Sequence, residues 1–265
     1  MQIQFTKMHG IGNDMIMIDN RKKELMLTEE QVAKLCNRQF GIGADGLILL
    51  ENDTQADCFM NYFNADGSVG EMCGNGIRCT AKFFKELTNF TGNNIAINTR
   101  AGLKPIQITE TGYIVNMGEP KFEHSDFPNQ AIELEGFTWN FASMGNPHAI
   151  SIVDQDPYLL PLETFGPKIE RNTKVFPNKI NVEIVKIDNP AHATMRVWER
   201  GSSITLACGS GTCAVFAVCN KLGLLQNQAT INLPGGDLKI SYNDQNQIMM
   251  EGPAETSFTG EFQII

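Results

Sequence analysis

Short apolar runs and single helical periods alternate along this chain. Residues 3–8 and 15–19 alternate or run apolar in the manner of strands, and Thr28-Glu29-Glu30-Gln31 ahead of Val32, Leu35 and Cys36 spells a capped amphipathic helix. Leu47-Ile48-Leu49-Leu50 and Cys58 to Phe63 read as strands, and Ile77 to Leu87, after Gly76, has helical length and spacing. Ile95 to Asn98, Lys104 to Ile108 and Tyr113 to Met117 read as further strands before Gly118-Glu119-Pro120 and a turn-rich stretch at His124 to Pro128. A second series then begins. Strands are expected around Phe137–Phe141 and Ala149–Val153, then a stretch punctuated by Pro157, Pro161 and Pro167, strands at Val182–Ile187 and Thr194–Trp198, a helix after Gly211, and closing strands.

The two series line up. Gly12-Asn13 matches Gly145-Asn146 at an offset of 133, while Phe63-Asn64 matches Trp198-Glu199, and Cys73-Gly74-Asn75-Gly76 matches Cys208-Gly209-Ser210-Gly211, both at 135. Three matches in one order at nearly one spacing imply two similar α+β halves, with the matched segments facing each other across a cleft. The expected division is 1–118 for the N-terminal half and 119–251 for the C-terminal half.

Composition narrows what such a chain can do. Of 265 residues, 42% are hydrophobic and 19% charged, which suits a folded globular protein with a substantial core. The net charge of −9 repels phosphates, so neither nucleic acid nor an anionic membrane surface is an expected partner. No apolar run approaches the roughly 20 residues that span a bilayer, and a cytoplasmic location is expected. Seven cysteines, an odd number, then read as thiols rather than a disulfide framework.

The chemistry gathers in the repeated segments. Cys73 and Cys208 each precede a Gly-x-Gly that opens an apolar helical stretch. Backbone N–H groups and the helix dipole there favour a thiolate and a bound carboxylate, so each half is expected to supply an activated sulfur and an anion cradle. Cys36, Cys58, Cys79, Cys213 and Cys219 read as small buried hydrophobes. Zinc is the main chemical rival, but the Cys73/Cys79 and Cys208/Cys213 spacings, with glycines between, suit it poorly, and no metal is expected. Gly41-Ile42-Gly43-Ala44-Asp45-Gly46 formally matches a dinucleotide fingerprint, but it follows a helix and enters a strand, the reverse of the nucleotide-binding order. His148 lies in the repeated Met144 to His148 segment, unlike His9, His124 and His192. Asn13, Asn64, Asp66, Asn146, Asn181 and Glu199-Arg200 add polar groups, and Arg200 with Glu199 matches the carboxylate and ammonium of an amino acid. No lysine stands in a recognisable pyridoxal motif.

These segments, together with Lys7 to Asp14, Phe63 to Ser68 and Leu233-Pro234-Gly235-Gly236, closely resemble the diaminopimelate epimerase family of cofactor-independent amino-acid racemases and epimerases over nearly the whole chain. The resemblance implies two pseudo-symmetric halves, each a central helix wrapped by mostly antiparallel strands, with 252–265 returning to the first half and the active site in the cleft. It implies that Cys73 and Cys208 are the acid/base pair, that Asn13, Asn64, Asn146, Asn181, Glu199 and Arg200 bind substrate, and that His148 and Glu199 support proton transfer. Gly74-Asn75 and Gly209-Ser210 would hold the reacting carboxylate. The implied reaction interconverts LL-2,6-diaminopimelate and meso-diaminopimelate without a cofactor, in bacterial-type lysine and peptidoglycan precursor synthesis. Gly46 departs from members that carry glutamine close to the substrate. In dehydrating relatives the second cysteine is replaced, so Cys208 favours stereoinversion. A racemase of another amino acid on the same fold, or more distantly a thiol redox or zinc protein, remains open. A homodimer is the default assembly.

Overall fold

The computed structural model describes residues 2–264; Met1 and Ile265, which end the span expected for the first half, lie outside the described residues. One compact unit takes the chain up to Val115 together with the segment from Gly252 onward, and the other takes Asn116–Glu251.

In the first unit, β1 (Gln2–Gly10) pairs antiparallel with β2 (Asn13–Asp19) through a turn with Ile11 and Gly12 at positive φ. Helix α1 (Glu29–Cys36) carries the chain to β3 (Gly46–Glu51), parallel to β2, and β3 turns back into antiparallel β4 (Cys58–Asn64). Helix α2 (Gly74–Thr88) leads to β5 (Asn94–Asn98), parallel to β4, with β6 (Lys104–Ile108) and β7 (Tyr113–Gly118) added antiparallel. The central β2–β3 pair is buried on both faces, which is why it reads as continuous apolar runs instead of alternation. Ile16, Ile18, Leu47 and Leu49 pack with Val32 and Leu35 of α1, whereas Ile48 lies against Gly76 of α2. The expected capping box at Thr28 and Gln31 is formed.

The second unit repeats the pattern. Strand β8 (Ile132–Leu134) pairs with β9 (Phe137–Ser143), which is antiparallel to β10 (Pro147–Ile152). Helix α3 (Leu162–Glu170) precedes β11 (Asn181–Asn189), parallel to β10, and β12 (His192–Glu199) returns antiparallel. After the short β13 (Ser203–Ile204), α4 (Gly209–Lys221) leads to β14 (Gln228–Leu233), parallel to β12, then antiparallel β15 (Gly236–Tyr242) and β16 (Ile248–Gly252). Both units therefore pair in the same series: antiparallel, parallel, antiparallel, parallel, antiparallel. Their left-handed positions agree as well, at Gly12 and Gly145, Gly43 and Lys179, Gly67 and Gly201, Asn89 and Gly223. Strand β17 (Glu255–Gln263) runs antiparallel to β1 along its length, the place β8 holds beside β9.

Helix α2 packs against β1 to β5, and α4 against β9, β10, β11, β14 and β15. From Gly211 to Cys219 every residue of α4 is buried, so this helix is apolar all round because strands cover it on all sides. The proline-punctuated stretch holds α3, with Pro167 inside it. Pro167 removes one helical hydrogen bond, yet Leu162, Phe165 and Ile169 share one apolar face buried with Val182 and Ile184, and that burial outweighs the loss. The glycine-rich 41–46 segment is a helix-to-strand turn, with Gly43 at φ +80° and the N–H groups of Ile42 and Gly43 on the Leu35 carbonyl.

Candidate active site

Each repeated cysteine is the N-cap of its unit's central helix. Cys73 has φ −131° and ψ 121°, Cys208 φ −136° and ψ 104°, and each sulfur accepts the N–H of the glycine three residues on, Gly76 or Gly211, at 3.4 Å. That leaves the first-turn N–H groups of Gly74 and Asn75, and of Gly209 and Ser210, without intrahelical partners, as helix geometry requires. They are the donors available to an anion.

In the first unit a polar chain runs away from the sulfur. Cys73 Sγ lies 3.7 Å from Asn13 Oδ1, which also accepts from Asn75 Nδ2 at 3.3 Å. Asn13 Nδ2 donates to Asp45 Oδ2 at 2.9 Å, which fixes which end of the amide faces the sulfur. Behind Asn75 the buried Arg78 donates to Asn75 Oδ1 at 3.0 Å and to the Gly74 carbonyl at 3.1 Å. Gly10 leaves room for it, since a Cβ there would stand 2.6 Å from Arg78 Nη2. On the other side Asp45 and Asp14 share Arg38, and Asp14 also pairs with the buried Lys7 at 2.6 Å. Burial pushes the Asp14 carboxyl up, but hydrogen bonds from Arg38 and Lys7 and their charges prevail and bring it to about 2. Asn64 is tied into its turn, donating to Ser68 Oγ at 2.9 Å. Gly46 pairs with Asn64 across β3 and β4, and a Cβ there would meet the Tyr62 ring at 2.7 Å and the Phe63 carbonyl at 2.8 Å. No larger residue fits without moving that ring.

The second unit surrounds its sulfur differently. Cys208 is buried, with Ser210 Oγ at 3.7 Å. Glu199, at the end of β12, hydrogen-bonds Thr205 and the Cys208 thiol, and burial pushes its carboxyl up. His148, with none of its surface exposed, sets Nδ1 2.6 Å from Glu183 Oε1 and Nε2 3.0 Å from Asn146 Oδ1. Asn181 donates to the Pro147 carbonyl and accepts the Arg200 N–H, both at 2.9 Å, so it clamps the start of β10 to the turn after β12. The exposed Arg200 guanidinium donates to the Asn178 carbonyl at 2.9 Å.

One expectation needs correcting. The sequence suggested an acid-shifted thiol at both helix starts, but burial raises the Cys208 thiol well above its ordinary value, and the charges of Glu199 and Glu183 raise it further. Loss of water and two carboxylates outweigh one helix terminus. Sequence reasoning also missed Glu183, Arg78 and the Lys7–Asp14–Arg38–Asp45 network. A signal existed for Glu183, a single carboxylate inside the apolar run Val182 to Val185. Among the described residues no group of three or more His, Cys, Asp and Glu is arranged to hold a metal ion, and no helix is long and apolar enough to cross a membrane.

Solved structures share the architecture at low identity. A Bacillus anthracis phenazine biosynthesis protein of the PhzF family matches with a TM-score of 0.77 over 100% of both chains at 18% identity. A hydroxyproline epimerase from Agrobacterium vitis matches with a TM-score of 0.67 over 98% of this chain and 92% of that one at 12% identity. The fold is thus the two-halved α+β fold found among racemase- and epimerase-like proteins. Sequence likeness goes further: the model of the diaminopimelate epimerase family matches residues 5–123 and 140–257. Diaminopimelate epimerase 1 from Nostoc sp. is 44% identical over 98% of this chain and 100% of its own, and the diaminopimelate epimerase of Synechococcus elongatus 41% over 100% and 99%. The chain belongs to the diaminopimelate epimerase family and is an isomerase.

Proposed function

We propose that this protein interconverts LL-2,6-diaminopimelate and meso-diaminopimelate by proton transfer at the α-carbon, with Cys73 and Cys208 as the acid/base pair and no cofactor, in lysine and peptidoglycan precursor synthesis. The observation that carries this reading is the duplicated cysteine N-cap: the same residue, in the same backbone conformation, opens the central helix of each unit. Inverting a carbon centre needs one group to take a proton from one face and another to return one to the opposite face. One sulfur must therefore start as thiolate and the other as thiol, and they exchange roles with each turnover. Cys208, buried beside Glu199 and Glu183, is the sulfur suited to hold its proton at rest.

Removing the α-proton places charge on the substrate carboxylate. The N–H groups of Gly74 and Asn75 and of Gly209 and Ser210 are the donors suited to that charge, and one such donor typically supplies about 3 kcal/mol of transition-state stabilisation. Asn13, Asn64, Asn146, Asn181, Glu199 and Arg200 bind the rest of the substrate in this reading, and His148 and Glu199 relay protons at Cys208. The diaminopimelate epimerase names of full-length relatives at 41–44% identity favour this substrate over another amino acid. A mechanism that needs two reduced thiols favours the reducing cytoplasm as its compartment.

The test is proton NMR of the reduced protein with LL-diaminopimelate in deuterium oxide and no pyridoxal phosphate. Deuterium entry at the α-carbon together with the meso isomer establishes the reaction. Exchange only with other amino acids reassigns the substrate, and no exchange with any amino acid returns the cysteines to a redox or metal role.

A further inference from the structure

Glu183 is a fully buried carboxylate that the proposed acid/base roles leave without a task. Its Oε1 lies 2.6 Å from His148 Nδ1, and its Oε2 is buried with no hydrogen-bond partner among the described residues. A buried charged group left half-satisfied is costly, so its presence calls for a reason other than packing.

The internal repeat shows that packing is not the reason. In the first unit Met15 is opposite Gly46 and Met17 opposite Ile48; in the second His148 is opposite Asn181 and Ile150 opposite Glu183. Met15 and Ile48 thus hold the places of His148 and Glu183. The environments correspond as well: a Cβ on Gly76 would stand 3.0 Å from Ile48 Cδ1, and one on Gly211 would stand 2.7 Å from Glu183 Oε1. An apolar pair fills this place in one unit, and an ionisable pair fills it in the other. The same point at Gly211 lies 3.1 Å from Cys208 Sγ, so only the glycine's missing side chain separates carboxyl oxygen from sulfur.

The hydrogen bonds suit one proton shared within the pair. Asn146 Oδ1 lies 3.0 Å from His148 Nε2, an arrangement suited to a hydrogen on Nε2. Nδ1 then shares one proton with Glu183 Oε1, held as carboxylic acid and neutral imidazole or as carboxylate and imidazolium. We propose that Glu183 is a positioning residue for proton transfer at Cys208, holding the His148 ring in one orientation and exchanging a single proton with it, so that the pair sets how readily the thiol loses and regains its own. The inference rests on Cys208 and His148 acting as described above. The ionisable groups around Glu183 are His148 from β10, Glu199 from β12 and Cys208 at the start of α4. Burial raises the Glu183 carboxyl, and the neighbouring His148 opposes that rise.

Glu183→Gln keeps the shape and an amide able to hydrogen-bond Nδ1, but removes the titratable proton and the charge. With folding checked by circular dichroism, kcat is expected to fall about a hundredfold, with KM changed less than about twofold. On a His148→Gln background the same change should cause no further loss. Alkylation of Cys208 by iodoacetamide, followed by peptide mass spectrometry across pH, should shift to lower pH in Glu183→Gln, with Cys73 unmoved. Unchanged kcat, or losses from the two substitutions that simply multiply, would overturn the proposal. Should the Gln variant not fold, Glu183→Asp, which keeps the charge but withdraws it from Nδ1, must show the same fall in kcat at constant KM, and wild-type turnover there overturns the proposal equally. Cys208→Ser separates the two levels: full turnover in it defeats the two-cysteine reading itself, whereas an inert Glu183→Gln beside an inactive Cys208→Ser defeats only the role of Glu183.

Discussion

Cys73 and Cys208 hold the same station in their units, yet their neighbours differ in kind. Cys73 faces the amide of Asn13, and Cys208 faces carboxylates. Replacing either sulfur with the far less acidic hydroxyl in Cys73→Ser or Cys208→Ser should lower kcat by at least roughly a hundredfold, read by α-proton exchange. At Gly211 a methyl group would meet Glu183 Oε1 at 2.7 Å and Cys208 Sγ at 3.1 Å, both buried. Gly211→Ala should therefore cost about 1–3 kcal/mol in thermal unfolding and lower turnover as well, because the group displaced is the carboxylate beside the sulfur. At this scale the sequence was readable where residues recur. Asn13, Cys73, Asn146 and Cys208 stand out because two segments repeat them. Glu183 does not, because its counterpart is Ile48, and only strand pairing shows that the two positions correspond.

Among the elements, α1 packs on apolar residues of the β1–β2 hairpin, and ion pairs among Lys7, Asp14, Arg38 and Asp45 tie that hairpin to the turn after α1. The folded Asp14 carboxyl titrates near 2, below the ordinary value of about 4. Its contribution is therefore complete above about pH 4, is lost as pH falls through about 2, and amounts to roughly 2 kcal/mol. Chemical denaturation at pH 7 and pH 2.5 should show wild type losing most of that increment and Asp14→Asn, already without it, losing less. On α3, a Cβ on Gly166 would stand 2.9 Å from Trp198 Cγ. Gly166→Ala should destabilise by about 1–3 kcal/mol in spite of alanine's better helix propensity, and a stabilised variant in thermal melts would refute that close contact. Elements with a strong local signal were legible, including the Thr28 capping box and the β3 run. Helix α3 was not, because prolines mark it locally while its stability comes from an apolar face buried against β11 and β12.

For the whole molecule, the proposed two-cysteine mechanism predicts that oxidation joining Cys73 to Cys208 abolishes turnover and that dithiothreitol restores it. Undiminished activity in protein shown by mass spectrometry to carry that bond would exclude that mechanism. The duplication was determined by the sequence alone, because recurrence of Gly-Asn and Cys-Gly-x-Gly at nearly constant spacing needs no coordinates to be seen. So was a cysteine just ahead of each central helix, although the structure starts these helices at Gly74 and Gly209, before the apolar stretches from Ile77 and after Gly211. Tertiary structure decided what short-range rules of helix initiation cannot reach. Titration depends on burial and on charges distant in sequence, and it set Cys208 apart from the acid-shifted thiol its helix start suggested. Strand register, which brings His148 beside Glu183 across 35 residues of chain, made a buried ionisable pair where the repeated unit has only methionine and isoleucine.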